Sequence, residues 1–406
     1  MTYDTIIAGA SFAGLAVAAQ LRGKRVLLLD HKPIGTGQTS ACGTLVCTLR
    51  ALGLDDAILQ IHDHLVIHTS GRTFVYPVAE LFCTFDYAVL CRLLRERGDA
   101  EFVLSTALDL KRDRVRTSRG TFRGEVIVDA SGWRAVLGSH LRPDLMRRDR
   151  LNFGLETTVA YKDDGLHFWY DPRGVLPMGV TWAFPIGEFS RIGIGSYQGN
   201  TRLGPGLDRF LANLDLRRDG FHGGYFPHAL RDPAVGDLFL VGDAAGHCLG
   251  LTGEGIRPAL FFGTHLGHLL CQALNGEITL EGGRRAYRRL VVAHKPGYNL
   301  LCLAQRVLPR LPLPLVQGLM ALIRWPTVLR QVLALYVRAF WLEVPPSPLA
   351  VDTHTWGALE KFPGASDHRI MRNACSHAPV SSPTDAPARP SSFTVTRGPA
   401  RSWATS

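Results

Sequence analysis

The amino terminus carries the pattern that most restricts the fold of this chain. Thr5 to Ala8 is an apolar run typical of a buried strand. The turn Gly9-Ala10-Ser11-Phe12-Ala13-Gly14 follows, then a small-residue helix through Leu21 and a second strand that ends in Asp30. This order predicts a strand–helix–strand unit of the length found in dinucleotide-binding folds.

Individual residues of this unit suit a dinucleotide. Gly9 permits the tight turn, and Gly14 lets the helix pack on the sheet. Asp30 lies about 20 residues after the first glycine, where an acid can accept hydrogen bonds from ribose hydroxyls. Ser11 replaces the usual second glycine, and its side chain leaves less room for a pyrophosphate to approach the backbone of the turn. Ala13 is also predicted to contact the dinucleotide.

A second stretch near the middle of the chain predicts the other half of a cofactor site. The apolar run 239–241 ends in Gly-Asp, and a helical pattern begins after Gly-Glu-Gly at 253–255. A carboxylate at a strand end can accept from a sugar hydroxyl, and free amides at a helix start attract negative charge. Alone, this stretch could be a glycine-rich loop without function; with the amino-terminal unit it predicts an FAD site. The predicted contacts are Gly242, Asp243, Ala245, Gly253, Gly255 and Ile256.

These motifs resemble those of the geranylgeranyl reductases, FAD enzymes that saturate isoprenoid double bonds. Gly-Asp-Ala-Ala-Gly at 242–246 and Gly-Glu-Gly-Ile at 253–256 are similar to the flavin motif of that family. The resemblance covers about residues 1–300. Four further stretches agree with it: Ala41-Cys42-Gly43, Phe85-Asp86 with Leu90, Val128-Asp129-Ala130-Ser131-Gly132, and Trp182-Ala183-Phe184-Pro185.

Four positions depart from the family pattern. Val180 replaces a tyrosine, Ile186 a lysine and Phe82 an arginine, and Gly250 stands where a proline is expected. None of these positions belongs to the predicted FAD contacts. These four departures therefore concern which substrate is bound and which reaction is catalysed.

The resemblance implies a fold and a set of site residues. The fold is α/β, with a Rossmann-like FAD-binding domain interleaved with an antiparallel β-sheet substrate domain and followed by a helical carboxy-terminal region. Ala41, Gly43 and the backbone near Ala107 are expected to contact FAD. Cys42 is expected beside the flavin ring, as a proton donor or a shaping group, while Trp182 and Phe184 are expected to face the substrate.

Charge and composition restrict the partners. The formal net charge is +10, and the ten basic residues between Gly282 and Leu342 are accompanied by no acid. Because this region is also strongly apolar from Leu311 to Trp341, it favours peripheral contact with an anionic membrane through 284–342. The other interpretation is a helical cap on the substrate domain. No nucleic-acid partner is expected, since the charge lacks interleaved aromatics and a recognition module.

Cysteine usage and segment lengths predict a cytoplasmic protein, associated with the inner face of the membrane through that basic region. The eight cysteines include no Cys-x-x-Cys pair, as expected in a reducing compartment. No cationic segment precedes Ile6, and no uncharged apolar run reaches about 18 residues, so neither a signal peptide nor a transmembrane helix is expected. His247 and Cys248 are two conceivable ligands, which do not define a metal site, and we predict none.

The predicted organisation has five parts. An FAD-binding domain begins at 1–150, with a β-hairpin insertion near 62–78, and resumes at 236–282. A β-sheet substrate domain lies between, at 151–235, and its segment His222–Pro227 is expected to be a turn that leads back into the cofactor domain. A basic and apolar helical region follows at 283–344, with a basic helix expected from Arg284 to Lys295 and with prolines at 312, 314 and 326 that divide its apolar part into two helices. The tail at 345–406 has a Pro, Ser, Ala and Thr content that predicts disorder.

The predicted activity is reduction of carbon–carbon double bonds in an isoprenoid, or in a prenylated lipid or quinone, by reduced FAD. NAD(P)H or ferredoxin would supply electrons transiently, because no second dinucleotide fingerprint occurs in the sequence. An FAD-dependent monooxygenase acting on an apolar or aromatic substrate is the main alternative. A non-catalytic FAD-binding protein is the third.

Overall fold

A computed structural model describes residues 2–170 and 176–340. The predicted tail at 345–406, and the last four residues of the predicted 283–344 region, lie outside the described residues. The strands are β1 (Thr2–Ala8), β2 (Val26–Asp30), β3 (Gly43–Leu45), β4 (Ile58–Thr69), β5 (Arg72–Phe85), β6 (Glu101–Leu104), β7 (Ala107–Lys111), β8 (Arg114–Thr117), β9 (Gly120–Asp129), β10 (Leu151–Val159), β11 (Leu166–Trp169), β12 (Gly179–Pro185), β13 (Ser190–Ser196), β14 (His222–Pro227), β15 (Ala234–Val235) and β16 (Leu238–Leu240). The α-helices are α1 (Phe12–Ala18), α2 (Val46–Ala51), α3 (Tyr87–Glu96), α4 (Val136–Leu141), α5 (Gly204–Ala212), α6 (Ile256–Leu274), α7 (Leu280–Val307), α8 (Leu313–Ile323) and α9 (Pro326–Arg338).

The first sheet is built on the amino-terminal unit. Its main strand order is β15-β16-β9-β1-β2-β6, and β1 pairs in parallel with both β2 and β9. The central strands are apolar at successive positions because both faces of the sheet are covered. Ile6, Ile7, Leu27 and Leu28 are all fully buried.

Helices α1 and α6 cross closely on one face of this sheet. A Cβ on Gly263 would lie 2.8 Å from the carbonyl oxygen of Ala13, and one on Gly267 would lie 2.7 Å from that of Val17. Larger residues at these two positions of α6 would therefore separate the helices. The close crossing brings the start of α6 near the turn that precedes α1.

The second sheet has the order β14-β10-β13-β12-β11-β4-β5-β3. The hairpin predicted near 62–78 is longer than expected, since its strands span Ile58–Thr69 and Arg72–Phe85, and it belongs to this sheet. Strands from the first part of the chain thus complete a sheet formed mainly by later ones. The predicted fold class, a Rossmann-like domain interleaved with a largely antiparallel substrate sheet, is confirmed.

The segment His222–Pro227 corrects one sequence interpretation. Gly223-Gly224 suggested a turn, but the segment is strand β14, which pairs antiparallel with β10. The physical reason is a close backbone approach, because a Cβ on Gly223 would lie 2.1 Å from the carbonyl oxygen of Gly154. The glycine therefore permits strand pairing at this point.

Of the carboxy-terminal helices, α8 and α9 pack on the second sheet, whereas α7 packs on α6 and beside the first sheet. The basic helix expected from Arg284 to Lys295 is longer, because α7 continues through the exposed Pro296 to Val307. The prolines at 312, 314 and 326 divide the next stretch into α8 and α9, as predicted. Gln317 of α8 donates to the Thr69 hydroxyl and the Ser70 carbonyl at the tip of the β4–β5 hairpin (both 3.0 Å).

None of the helices in residues 2–170 and 176–340 could span a bilayer, since none combines sufficient length with sufficient hydrophobicity.

Candidate flavin site and its surroundings

The turn after β1 is held by contacts that require glycine. Gly9 has a φ of +112°, and a Cβ there would lie 2.1 Å from the carbonyl oxygen of Ala130 at the end of β9. A Cβ on Gly14 would lie 1.9 Å from the carbonyl oxygen of Gly9, so α1 lies directly against the turn. The first helical bond of α1 runs from the Leu15 amide to the Ser11 carbonyl (2.9 Å), which leaves the preceding amides without an intrahelical partner.

The two sequence motifs predicted to form one site are in contact. A Cβ on Gly242, whose φ is +63°, would lie 2.7 Å from the Cβ of Ala13. Ser11, beside them, has its hydroxyl 3.2 Å from the hydroxyl of Tyr87 on α3. The amino-terminal turn and the mid-chain loop therefore form a single cleft wall, although they come from opposite halves of the chain.

Asp30 lies at the far end of this wall. Its Oδ2 accepts a hydrogen bond from the Ala10 amide (2.8 Å), and its Oδ1 accepts one from the Lys32 amide (3.1 Å). The segment after β6 lies alongside, because the Ser105 amide donates to the Asp30 carbonyl (2.7 Å) and Ala107 begins β7 two residues later. Asp30 and Ala107 are thus near neighbours at one edge of the first sheet.

Residues 242–256, called the flavin loop here, join β16 to α6. The loop begins with a 3₁₀ turn at Gly242–Ala245 and contains Gly253 with a φ of +66°. A Cβ on Gly255 would lie 3.7 Å from Oδ1 of Asp243. The first backbone bond of α6 runs from the Ala259 amide to the Gly255 carbonyl (3.0 Å), so the amides of Gly255 and Ile256 lack an intrahelical partner. A carboxylate acceptor and free amide donors therefore lie side by side, which is a donor set that fits the ribityl chain and phosphates of FAD.

Asp243 has an unusual titration behaviour. Burial raises the pKa of its carboxyl from 3.8 to about 6, although the Arg231 guanidinium acts in the opposite direction. An acid with a raised pKa in the folded state destabilises the protein where it is ionised. This loss of stability is absent when the pH is below the pKa of the carboxyl in the unfolded chain. It is fully present when the pH is above the pKa of the carboxyl in the folded protein.

We expect the Asp243→Asn apoprotein to be more stable than the wild-type apoprotein above about pH 6, with the difference vanishing below about pH 4. The difference is at most about 3 kcal/mol, and solvent access to the partly exposed carboxylate reduces it. Urea unfolding of both apoproteins across this pH range checks the prediction. A constant difference at every pH would show that the carboxylate is not the cause.

His247 and Cys248 serve the loop itself. Nδ1 of the fully buried His247 accepts a hydrogen bond from the Gly242 amide (3.1 Å), and burial lowers the pKa of this histidine to about 3. The imidazole is therefore neutral at physiological pH. Cys248 is also buried, and no group of three or more potential metal ligands occurs in the described part of the chain.

Cys42 lies at the entry to β3 in a strained position. Its φ is +55°, its side chain is fully buried, and its thiol donates to the Ser40 carbonyl (3.3 Å). Burial raises the pKa of the thiol to about 12, while the nearby Arg191 guanidinium lowers it. The sulfur therefore holds its proton at neutral pH and is not a thiolate nucleophile.

Phe184 connects the Cys42 segment to the substrate sheet. A Cβ on Gly43 would lie 3.0 Å from the Phe184 ring, so the ring rests on the backbone of this residue. The same ring makes an edge contact with Phe168 of β11, with centroids 5.3 Å apart. Ala41 is held nearby, because Arg191 of β13 donates to its carbonyl (3.3 Å). Phe184 thus lies between the segment 41–43 and an apolar cluster.

Trp182 lies on the same face of β12 but has different partners. Its ring covers Gly193, where a Cβ would lie 2.2 Å from the indole, and its Nε1 donates to Glu156 (2.7 Å). His222 makes a second hydrogen bond to Glu156 (3.0 Å). Trp182 is therefore fixed by a buried polar group in addition to its apolar contacts.

Glu156, His222 and Arg191 were not expected from sequence. Glu156 is 3% exposed on β10, and Arg191, 5% exposed, donates to the Ala41 and Phe85 carbonyls. The signal that could have found Glu156 is its place as a lone acid inside an apolar strand pattern. Its partners could not be found that way, because β12 and β14 meet it only after the sheet forms.

Glu254 of the flavin loop has a structural partner. Its carboxylate forms an ion pair with Arg257, with Nε 2.9 Å from Oε1, and accepts a hydrogen bond from the Tyr336 hydroxyl. Arg257 is 1% exposed, donates to the Tyr336 carbonyl (2.6 Å), and lies over the rings of Tyr336 and Phe340. This cluster, called the Glu254–Arg257 latch, ties α9 to the flavin loop.

Comparison with known proteins agrees with this geometry. No protein-family model matches the chain. A digeranylgeranylglycerophospholipid reductase of Methanothermobacter thermautotrophicus is 26% identical over 313 residues, which are 69% of this chain and 78% of that protein. One from Methanopyrus kandleri is 25% identical over 330 residues, 71% of this chain and 82% of that protein.

The chain is similar in sequence to the geranylgeranyl reductase family over about 70% of its length. Identity within that family also reaches 32% with a digeranylgeranylglycerophospholipid reductase of Methanococcus vannielii, but over 132 residues, which are 30% of this chain and a third of that protein. The family implies that FAD is the cofactor.

Solved structures that share this fold superpose well. A geranylgeranyl bacteriochlorophyll reductase-like protein from Thermoplasma acidophilum has a TM-score of 0.72 at 20% identity, covering 84% of this chain and 96% of the other. PqsL of Pseudomonas aeruginosa, in complex with 2-aminobenzoylacetate, has a TM-score of 0.62 at 20% identity, covering 76% and 96%. At these identities, the superpositions show the shared fold alone.

Proposed function

We propose that this protein is an FAD-dependent reductase that saturates carbon–carbon double bonds of a prenylated lipid. The observation that carries the proposal is the contact between Phe184 and Gly43, which joins the expected flavin contacts to an apolar cluster under α8 and α9. The members of that cluster include Phe82, Phe168, Leu329, Leu333 and Tyr336. The names of the relatives, digeranylgeranylglycerophospholipid reductases, support an isoprenoid lipid as substrate.

In this proposal the cofactor is held by the residues predicted from sequence. The turn 9–14 and the first amides of α1 bind the pyrophosphate, and Asp30 with the backbone near Ala107 binds the adenosine. Asp243, Ala245 and the amides of Gly255 and Ile256 bind the ribityl chain and phosphate. Bound FAD, once reduced, supplies a hydride.

Cys42 is proposed to supply the accompanying proton. Its Sγ keeps a proton at neutral pH because burial disfavours the thiolate. The Arg191 guanidinium stabilises the thiolate that would remain after proton transfer, so the two groups together suit a donor of this kind. Trp182 and Phe184 orient the substrate and exclude water, which matters because an isolated alkene offers little polarity to recognise.

The electron donor is proposed to be NAD(P)H or ferredoxin, bound transiently. A monooxygenase is the second candidate, because PqsL of Pseudomonas aeruginosa, a probable FAD-dependent monooxygenase, shares the scaffold with a TM-score of 0.60.

Oxygen separates the two candidates. With a panel of prenylated lipids and quinones, we expect product to form anaerobically and to gain two hydrogens per double bond, because the proposed reaction needs only a hydride and a proton. Mass spectrometry of the product checks this. Product that forms only with oxygen and contains an oxygen atom would assign the protein to the monooxygenases. No reduction of bound flavin by any donor would leave a non-catalytic protein.

Peripheral membrane contact is proposed through α7, α8 and α9. Ten large apolar side chains of this region are exposed, and the most exposed are Leu335 (72%) and Trp325 (67%). Arg310, Arg324, Arg330 and Arg338 are exposed beside them. Apolar burial in the headgroup region and attraction to anionic lipid would then act together.

Two of the basic residues in the predicted membrane-binding region form ion pairs within the protein. Arg284 pairs with Asp237 (2.7 Å) and with Glu281, and Arg288 lies 3.3 Å from Asp232. These two arginines attach α7 to the first sheet, so their removal would test folding as much as lipid binding. The residues to alter are instead the exposed ones of α8 and α9.

We expect the variant Trp325→Glu/Leu335→Glu to bind anionic liposomes at least about tenfold more weakly than wild type, because each buried apolar side chain contributes roughly 1.5–3 kcal/mol. Added salt should weaken the wild-type binding as well. Liposome flotation measures both effects. Phe189→Glu/Phe221→Glu is the matched control, since those exposed aromatics lie outside α7–α9. Equal binding by both variants would make the helices a domain cap only.

A further inference from the structure

A cationic cavity lies on the far side of the flavin loop. Its volume is about 360 Å³, within the range of small-molecule sites. Three parts of the chain form it: residues 142–150, residues 229–232 and one flank of α7. Its cationic lining consists of Arg142, Arg147, Arg150, Arg231 and Lys295.

The positive charge of this cavity is incompletely neutralised. Its lining contains two carboxylates, Asp144 and Asp232, against the five cations. A third carboxylate beside the lining, Asp149, pairs with Arg147 (2.7 Å) and lies 3.8 Å from Arg150, so the cations still outnumber the acids. Asp232 lies 3.6 Å from Nη1 of Arg142 but is also 3.3 Å from Nε of Arg288, which is outside the lining. Within the described residues, no carboxylate oxygen lies within 4.0 Å of a charged nitrogen of Arg231 or Lys295.

Two buried guanidinium nitrogens in the lining have no hydrogen-bond partner among the described residues. One is Nη2 of Arg231, whose Nη1 is 3.4 Å from the Asp243 carbonyl and 3.3 Å from the Ala244 carbonyl. The other is Nε of Arg142, which lies 3.9 Å from Asp144, too far for a hydrogen bond. Burial lowers the pKa of Arg231, while the charges of Asp243 and Asp129 act in the opposite direction. An unsatisfied buried donor costs roughly 1–3 kcal/mol, so an acceptor at this point would stabilise the site.

The chemistry of the lining favours a phosphate. Guanidinium groups bind phosphate oxygens through paired N–H donors, and several arginines can share the oxygens of one group. The amide side chain of Asn299 adds a further donor to the same wall.

The position of the cavity adds a second indication. Lys295 and Asn299 are on the flank of α7 next to an exposed apolar strip. Val292 precedes Lys295 by one helical turn and Leu303 follows Asn299 by one, and each is 58% exposed. A phosphate in the cavity would therefore lie beside a surface that suits acyl or prenyl chains.

We propose that this cavity binds a phosphate group, presented by a lipid headgroup or by a soluble phosphate compound. The site is distinct from the proposed FAD contacts, because Arg231 approaches the flavin loop through the carbonyls of Asp243 and Ala244. The proposal does not rest on the reductase activity.

The test uses Arg147→Gln/Lys295→Gln, which removes two accessible cations and leaves Arg231 on the flavin loop. Arg22→Gln/Arg119→Gln is the control, because both arginines are exposed, lie outside the lining and outside α7–α9, and their substitution removes the same charge. Calorimetric titration of the FAD-loaded and apo forms with pyrophosphate is expected to show binding to wild type. The affinity should fall at least about tenfold in the cavity variant and less than about twofold in the control.

Vesicles distinguish the two sources. If pyrophosphate displaces the protein from phosphatidic acid vesicles, and the cavity variant binds those vesicles more weakly than the control, the ligand is a lipid headgroup. If pyrophosphate binds in the cavity without affecting vesicle binding, it is a soluble phosphate compound. No pyrophosphate binding by wild type, or equal weakening in both variants, would overturn the proposal.

Discussion

Asp243→Ala is expected to purify with little or no FAD while the apoprotein stays folded. Asp243 is proposed to be the acceptor for the ribityl hydroxyls, beside the free amides of Gly255 and Ile256. Hydrogen bonds to charged groups contribute roughly 1.5–3 kcal/mol each, so loss of one weakens FAD binding by about 10- to 150-fold. The FAD content of the purified protein, and the affinity of the apoprotein for added FAD, measure the effect.

The control for this variant is Asp219→Ala, which removes an exposed acid outside the flavin loop. It should retain the FAD content of wild type. The FAD content of Asp243→Asn should lie between those of wild type and Asp243→Ala, because its amide oxygen still accepts a hydrogen bond but lacks the charge. Full FAD occupancy in Asp243→Ala would remove the basis for the site assignment.

Arg257→Met is expected to destabilise the protein by about 3–5 kcal/mol, since it leaves the buried carboxylate of Glu254 without its partner. The same change removes the donor to the Tyr336 carbonyl and the stacking on the Tyr336 and Phe340 rings. Helix α9 should therefore loosen. Urea unfolding gives the free energy, and limited proteolysis reports on α8 and α9.

A double-mutant cycle isolates the latch. Glu254→Gln/Arg257→Met should lose less stability than the two single variants predict together, because neither charge is then left unpaired. Arg330→Met is the matched control on α9, since Arg330 is exposed. Additive losses, or a loss in Arg257→Met no larger than in the control, would show that the ion pair does not hold α9.

The sequence predicts the cofactor part of the molecule better than the rest for a physical reason. Gly9, Gly14 and Gly242 are required by close backbone contacts, so their spacing directly records where strands and helices approach. Asp30 and Asp243 follow apolar strand runs, which places them at strand ends. Such local patterns define the first sheet and bring its two halves together.

The contacts of the substrate sheet join residues that are far apart in the chain, so local sequence patterns predict them poorly. Glu156 meets Trp182 from β12 and His222 from β14, and neither pairing is encoded in the local pattern of β10. The glycine pair at 223–224 misled the interpretation of β14, because glycine serves both turns and close strand pairing. Only the assembled sheet distinguishes the two.

The charge of the basic region 282–342 also could not be interpreted fully from the sequence, because the ion-pair partners of its arginines come from other segments. Counting residues between 282 and 342 finds ten cations and no acid, yet Arg284 and Arg288 have acidic partners outside that stretch. The tertiary fold thus separates structural arginines from free ones. The cationic cavity likewise becomes visible only in the folded structure, because its lining comes from three separate segments.

The most direct measurement of the central claim is anaerobic reoxidation of the flavin. Protein loaded with FAD is reduced chemically, excess reductant is removed, and a prenylated lipid is added without oxygen. The proposed function predicts that the flavin absorbance returns as the lipid gains two hydrogens per double bond, and that Cys42→Ala slows this return. Flavin that stays reduced with every prenylated lipid and reoxidises only when oxygen is admitted would contradict the assignment as a reductase.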